Sequence, residues 1–386
     1  MSYVTLRADR SGVLAMRCTG RLLALLLLAL AAAGPATAQE AQPLYIREAL
    51  RVAMPEAGAK GLEAILVRPA GAGKYPLVLM NHGAPRKPGD RSGMTPLAFL
   101  PQMMEFARRG WAVAAVMRRG YGDSGGGFAE TAGTCQNPDY VTSGRSAAKD
   151  LRAAIEYLSR RPDIDATRVM SVGQSAGGFS TVALTADPPA GLVAAISFAG
   201  GRGSPKDGEV CAEDRLVDAF AAFGKTSRIP MLWVYADNDQ FFGPELVQRL
   251  HQGFTAAGGD AELIKRPAFG KDGHALFALG VPLWTPYVDA FLKRHQLVLR
   301  DSLLPVPLPN IAMPAGLGQG GRNAFAYYRA AGSHKAFAVS PSGAFGLRIA
   351  RRTVEEARQG ALENCAKRAT DCRIVIVDEA AQQPVP

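Results

Sequence analysis

Between residues 44 and 297, short apolar runs alternate with longer segments whose apolar positions recur every three or four residues. The runs PLVLMN (76–81), WAVAAVMR (111–118), RVMSVGQ (168–174), LVAAISFAG (192–200), PMLWVYA (230–236) and AELIKRP (261–267) predict strands. Segments 96–110, 143–161, 176–186, 211–224, 244–259 and 283–296 predict helices, the first closing at Gly110 and the second stopping before Pro162. Strands separated by helices in this way imply βαβ units and a mostly parallel sheet. The strands are apolar at successive positions, as expected when helices cover both faces of a sheet. Two extended segments ahead of them, 45–56 and 61–70, predict an antiparallel edge. The expected fold class is therefore α/β, with a small α+β appendage at the C-terminal end.

That appendage is announced by a change of pattern. Residues 299–322 are rich in Pro and Gly and have no period, which predicts a linker. Beyond them, 335–341 and 344–350 predict a hairpin, 353–368 a helix with Thr353 as its cap and Glu356 three residues on, and 372–379 a strand. The expected organisation is a signal peptide (1–38), a catalytic domain (39–298), the linker, and a small β-β-α-β domain (323–386).

The N-terminus adds an address. Arg17 and Arg21 precede the apolar run 22–33, and Ala36 and Ala38 form an A-x-A site before Gln39. A charged region, a short apolar run and small residues at a cleavage point predict a secretory signal peptide cut after Ala38. The run is shorter than the roughly 20 residues of a membrane span. No stable span is expected after cleavage, and the mature protein is expected in the periplasm or outside the cell. Met16 is an alternative start to Met1. Cleavage removes four arginines and one aspartate, so the net charge falls from +10 to +7. With no Lys/Arg run and no aromatic-interleaved basic motif, a nucleic-acid partner is not expected.

Four cysteines remain: Cys135, Cys211, Cys365 and Cys372. An even number in an exported chain favours disulfides. Proximity favours Cys365 with Cys372, which leaves Cys135 with Cys211 to brace the rim of a pocket. None stands in C-x-x-C spacing, so no metal is expected.

The chemistry centres on GQSAGG (173–178), where Ser175 follows a strand and opens a helix. In that setting Gly-x-Ser-x-Gly is a nucleophile elbow, and its partners follow in the order acid, then histidine. Of the histidines, His274 alone lies in a loop after the last strand of the sheet and before the last helix, where the base should be. The acid should follow strand 230–236, where Asp237 and Asp239 both qualify and the spacing favours Asp239. Two N–H groups must receive the oxyanion. Ala176, after the nucleophile, offers one, and Ala84, in the loop that begins His82-Gly83, offers the other. His82 is expected to brace that loop or to border the pocket. Tyr121 either shapes the pocket or turns the chain. Arg118 and Arg119 are expected in ion pairs rather than on an anionic substrate.

NHGAP, RRGYGDSGGG, GQSAGG, YADNDQFF and DGHALF, in this order on these elements, resemble the α/β-hydrolase superfamily over residues 45–297. Within it the chain looks most like the dienelactone-hydrolase-like and prolyl-oligopeptidase-like branches. It departs from true dienelactone hydrolases, whose nucleophile is cysteine, and from prolyl oligopeptidases in lacking their long β-rich domain. The C-terminal segment resembles an uncharacterised exported domain that brings no known activity. The resemblance implies an α/β-hydrolase fold and an exported serine hydrolase acting on an ester, without a cofactor. Its partner would be a small-molecule or peptide acyl substrate. A serine peptidase or amidase is the alternative enzyme. A non-catalytic envelope-binding protein on a hydrolase scaffold is the alternative of another class. No partner of the C-terminal domain is legible.

Overall fold

The computed structural model describes residues 43–382, so the expected signal peptide lies outside the described residues. An eight-stranded sheet forms the centre, in the order β1-β2-β4-β3-β5-β6-β7-β8. Its strands are β1 (Tyr45–Val52), β2 (Leu62–Pro69), β3 (Tyr75–Asn81), β4 (Ala112–Val116), β5 (Ile164–Gln174), β6 (Leu192–Phe198), β7 (Met231–Ala236) and β8 (Ala261–Arg266). β1 and β2 are antiparallel and β2 meets β4 antiparallel, while every pair from β4 through β3 to β8 is parallel. The expected antiparallel edge is therefore present.

Successive side chains of each strand serve opposite layers. Val78 and Met80 of β3 pack with α1 (Leu100–Ala107) and α7 (Val281–Arg294) through Phe106 and Trp284. Leu77 and Leu79 pack on the other face with α2 (Tyr140–Leu158). That face continues under α3 (Ala176–Thr185), α4 (Glu213–Gly224) and α5 (Pro244–Ala256), where Phe220 and Phe254 pack on Trp233 and Phe179 packs on Phe220. A short α6 (Leu276–Leu279) precedes α7. Burial on both faces explains why the inner strands β3, β4, β6 and β7 carry no polar alternation.

The strand order fixes where a site can form. β3 lies between β4 and β5, so the chain leaves it to one side and later returns on the other. Loops at the carboxyl ends of β3 and β5 therefore diverge around a crevice, the usual ligand position in open α/β sheets.

After α7, residues 299–318 run without regular structure but are held to the sheet domain. Leu304 N–H donates to Arg108 O, and Tyr45 Oη donates to Pro305 O (3.0 Å). The stretch expected to be linker ends early, because α8 (Gln319–Ala330) starts inside it. Gly320 and Gly321 in its first turn hid this helix from pattern reasoning. β9 (Ala336–Val339), β10 (Phe345–Arg348), α9 (Val354–Ala366), β11 (Arg373–Val377) and a short β12 (Ala380–Ala381) follow. They form an antiparallel sheet in the order β10-β9-β11-β12. α8 covers one face through Phe325 and Tyr328, and α9 covers the other through Ala357, Ala361 and Cys365. Thr353 caps α9 as expected, accepting from Glu356 N–H (3.1 Å). Cys365 pairs with Cys372, and Cys135 with Cys211.

Candidate active site

Ser175 stands between β5 and α3 with φ 56° and ψ −124°. Positive φ at a non-glycine residue is strained, and here the turn lifts the hydroxyl above the sheet edge. The neighbouring glycines are required by packing. A Cβ at Gly173 would lie 2.2 Å from Gly177 O, and one at Gly177 only 2.3 Å from Asn81 O. The elbow is thus pressed against the end of β3. Gly83 completes the approach, since a Cβ there would lie 3.0 Å from Ser175 Cβ and 3.6 Å from its Oγ.

β7 and β8 deliver the other two groups. Asp239 is buried, and its carboxylate faces His274 Nδ1 at 3.0 and 3.1 Å. Asp239 Oδ1 also accepts the N–H groups of Phe241 (2.7 Å) and Phe242 (3.0 Å), which fixes the carboxylate in place. Asp237, the other candidate, is exposed and is not brought to His274. The carboxylate beside Nδ1 keeps the proton there and leaves Nε2 as the acceptor.

Ser175 and His274 line one cavity of about 700 Å³. A second lobe of about 290 Å³ adjoins it, and Ser175, Ala84 and Phe241 belong to both. Ala176 lines the smaller lobe. Among the described residues, neither the Ala84 nor the Ala176 N–H has an acceptor in the protein. Two unused donors on either side of a serine suit a developing oxyanion.

Sequence reasoning missed several groups that hold this arrangement. Asp272 Oδ1 accepts from both His274 N–H (2.9 Å) and Gln240 N–H (3.0 Å), tying the histidine loop to the aspartate loop. Gln174 Nε2 donates to His274 O (3.2 Å) from the residue before the serine. Phe241 stacks on the His274 ring at 3.9 Å, and the Arg86 guanidinium lies over its other face at 3.7 Å. Asp272 and Phe241 each stand two residues from a candidate group, which was the available signal.

His82 is fully buried and lines neither lobe, so its place is behind the Gly83–Ala84 loop and not in the pocket. Its Nε2 accepts from Arg118 N–H (3.0 Å), so Nδ1 carries the proton and donates to Gly83 O (2.7 Å). Burial, then the neighbouring Arg118 charge, lowers its pKa to about 3, and the ring stays neutral. Tyr121 does line the smaller lobe. Its hydroxyl donates to Glu130 (3.3 Å).

Glu130 is the hub of a buried ion cluster. Arg118 bonds it through Nε and Nη2, and Arg202 through Nη2 (2.9 Å). Burial alone would raise its pKa. The Arg118 and Arg202 charges overrule burial and bring it down to about 2. Arg118 also donates to His82 O (2.9 Å), which links the cluster to the loop that carries Ala84. Arg119 pairs with Asp150 (2.7 Å). Both arginines are thus in the expected ion pairs. Arg202 lines the smaller lobe, and its buried Nη1 has no partner among the described residues. Cys211 lines that lobe too, so the Cys135–Cys211 disulfide braces its rim. Among the described residues no cluster of three or more His, Cys, Asp or Glu is placed to hold a metal ion.

A family model for X-Pro dipeptidyl-peptidase (S15 family) matches residues 58–213, which include the Ala84 loop and Ser175 but stop short of Asp239 and His274. No curated protein sequence matches the chain significantly. Among solved structures, the chain is similar to the Pyrococcus furiosus esterase Pf2001 (15% identity, 65% of this chain and 91% of that one, TM-score 0.48). It is also similar to Thermogutta terrifontis esterase 2, phosphoramylated by tabun (17% identity, 66% and 97%, TM-score 0.47). A third is an acylaminoacyl peptidase bound to a chloromethyl ketone (15% identity, 68% and 43%, TM-score 0.47). The strand order, with the serine turn at its switch point, is that of an α/β-hydrolase fold.

Proposed function

We propose that the chain is an exported serine hydrolase that cleaves ester bonds through an acyl-enzyme on Ser175. The carrying observation is that the hydrogen-bonded Asp239–His274 pair and the strained Ser175 turn open into one cavity. Ser175 Oγ attacks the ester carbonyl while His274 Nε2 takes its proton. Asp239 holds the Nδ1–H and stabilises the imidazolium. The N–H groups of Ala84 and Ala176 receive the oxyanion. The intermediate collapses, and the alcohol leaves with the proton from His274. Water then repeats the sequence and releases the acid. Two disulfides suit an oxidising compartment, in line with the expected export.

A peptidase is the second reading, favoured by the family-model match. A dipeptidyl-peptidase substrate presents a free ammonium, which calls for a carboxylate in the pocket. Here Asp90 is the one carboxylate lining either lobe among the described residues, against Arg86, Arg91, Arg202, Arg348 and Arg351. That charge balance supports the ester reading. Steady-state rates on 4-nitrophenyl esters of graded acyl length, beside aminoacyl 4-nitroanilides, separate the two. The ester reading expects ester turnover that falls at least about a thousandfold in Ser175→Ala. Anilides cleaved as well as esters would favour the peptidase. A protein inert to both would support a binding role on a hydrolase scaffold.

A further inference from the structure

The C-terminal unit reaches the site. Arg348, at the end of β10, and Ala350 and Arg351 just beyond it line the same 700 Å³ lobe as Ser175 and His274. We propose that this unit completes the active-site cavity and that Arg348 and Arg351 form a subsite for a carboxylate carried by the substrate. This inference rests on the hydrolase reading above and names a substrate class for it.

Three arginines in one short stretch have different fates. Arg352 is consumed in docking: it bonds both oxygens of Glu63 on β2 (2.5 and 2.7 Å) and the carbonyl of Met94. Thr95 Oγ1 reaches Ala350 O at 3.5 Å in a buried contact beside it. The wall is therefore fastened to the sheet domain at Ala350, within the cavity lining, and at Arg352, just beyond it. Arg348 and Arg351, by contrast, have no carboxylate partner among the described residues. Arg351 Nε is turned back onto Ile349 O (3.1 Å). In the smaller lobe Arg86 pairs with Asp207 and Arg202 with Glu130, while Arg91 donates to Pro88 O (3.1 Å) and lies over the Phe128 ring.

Two half-buried guanidiniums near each other repel. Burial lowers the Arg351 pKa and Arg348 lowers it further, with the exposed Glu356 carboxylate offsetting only part of this. An anion between them would relieve that repulsion and form charge-assisted hydrogen bonds. The backbone between them is also strained, with Ala350 at φ 49°. Non-glycine strain of this kind persists where surrounding structure enforces it, often at functional sites. The lobe's carboxylate, Asp90, is solvent-exposed, so its competition for the arginines is weak. The recognised chemistry is a carboxylate some atoms from the scissile carbonyl, on either the acid or the alcohol side.

Binding to full-length Ser175→Ala protein tests this without turnover. Calorimetric titration compares monomethyl adipate with methyl hexanoate for the acid side, and 5-acetoxypentanoate with pentyl acetate for the alcohol side. In at least one pair the anionic ester should bind about tenfold tighter. Adding Arg348→Gln and Arg351→Gln should bring that ratio below about threefold, whereas Lys at both positions should keep it above that mark. A ratio below about threefold in both pairs before the arginines are changed, or one that survives the Gln substitutions, overturns the proposal. If the Gln variant does not fold, raising salt from about 20 to about 500 mM must collapse the ratio in the Ser175→Ala protein, and its persistence overturns the proposal equally. Failure of the hydrolase reading would show separately, as a wild-type protein that no fluorophosphonate labels.

Discussion

Replacing Glu130 by Gln tests the buried cluster that supports the loop carrying Ala84. The change keeps the shape of the side chain but removes the charge that faces Arg118 and Arg202. It also turns an amide NH₂ toward guanidinium donors. Both Glu130 and Arg118 are essentially inaccessible, with side-chain exposures of 1% and 0%. Breaking a buried pair from one side leaves an uncompensated charge and costs about 3–5 kcal/mol. Linkage gives a similar figure. A carboxyl held at about 2 against its ordinary 4.5 stabilises the folded state by about 3 kcal/mol at neutral pH. Because the folded value is depressed, this contribution is complete above about pH 4.5 and is lost as pH falls through about 2. Urea unfolding, followed by the fluorescence of buried Trp111, Trp233 and Trp284, measures the gap between wild type and Glu130→Gln. The gap should be at least about 3 kcal/mol at pH 7 and clearly smaller near pH 3. A gap under about 1 kcal/mol at pH 7, or one unchanged by acid, would mean that the Glu130 charge does not hold the cluster together.

Asp239→Asn should lower kcat on an activated ester by about a thousandfold or more, whereas Asp237→Asn should leave it within about twofold, because Asp237 is exposed and away from His274. Gly83→Ala sets a Cβ 3.0 Å from Ser175 Cβ, which shifts the loop carrying the Ala84 N–H. Its kcat should fall about tenfold or more, with little change in melting temperature, and a fully active variant would place the oxyanion donor elsewhere. Cys135 and Cys211 are 76 residues apart, so removing both by Ala substitution should destabilise the protein by about 2–4 kcal/mol. The melting temperature should then no longer respond to reductant to the same extent, and an unchanged value would contradict a bracing role.

Much of the architecture was legible because one physical signal dominated it. Strands buried on both faces must be continuously apolar, and helices laid on them must be amphipathic, so residues 76–296 announced their elements directly. His274 emerged because few histidines exist and the topology admits one loop. Asp239 needed geometry to part it from Asp237, since both stand in the same turn and only one carboxylate turns inward. Helix α8 escaped because its first turn is glycine-rich and its apolar face, Phe325 and Tyr328, is short. The pairing of Glu130 with Arg202 and the cavity wall at Arg348 and Arg351 escaped for another reason. These contacts join residues far apart in the chain, and no local period or motif encodes them.

The proposed chemistry depends on Ser175 being a nucleophile activated by His274 and Asp239. Intact-mass and peptide mass spectrometry after treatment with a fluorophosphonate tests it most directly. One adduct per chain is expected, on Ser175, formed far more slowly in His274→Ala and absent from Ser175→Ala. A wild-type protein that remains unlabelled, or an adduct that persists on another residue in Ser175→Ala, would contradict it.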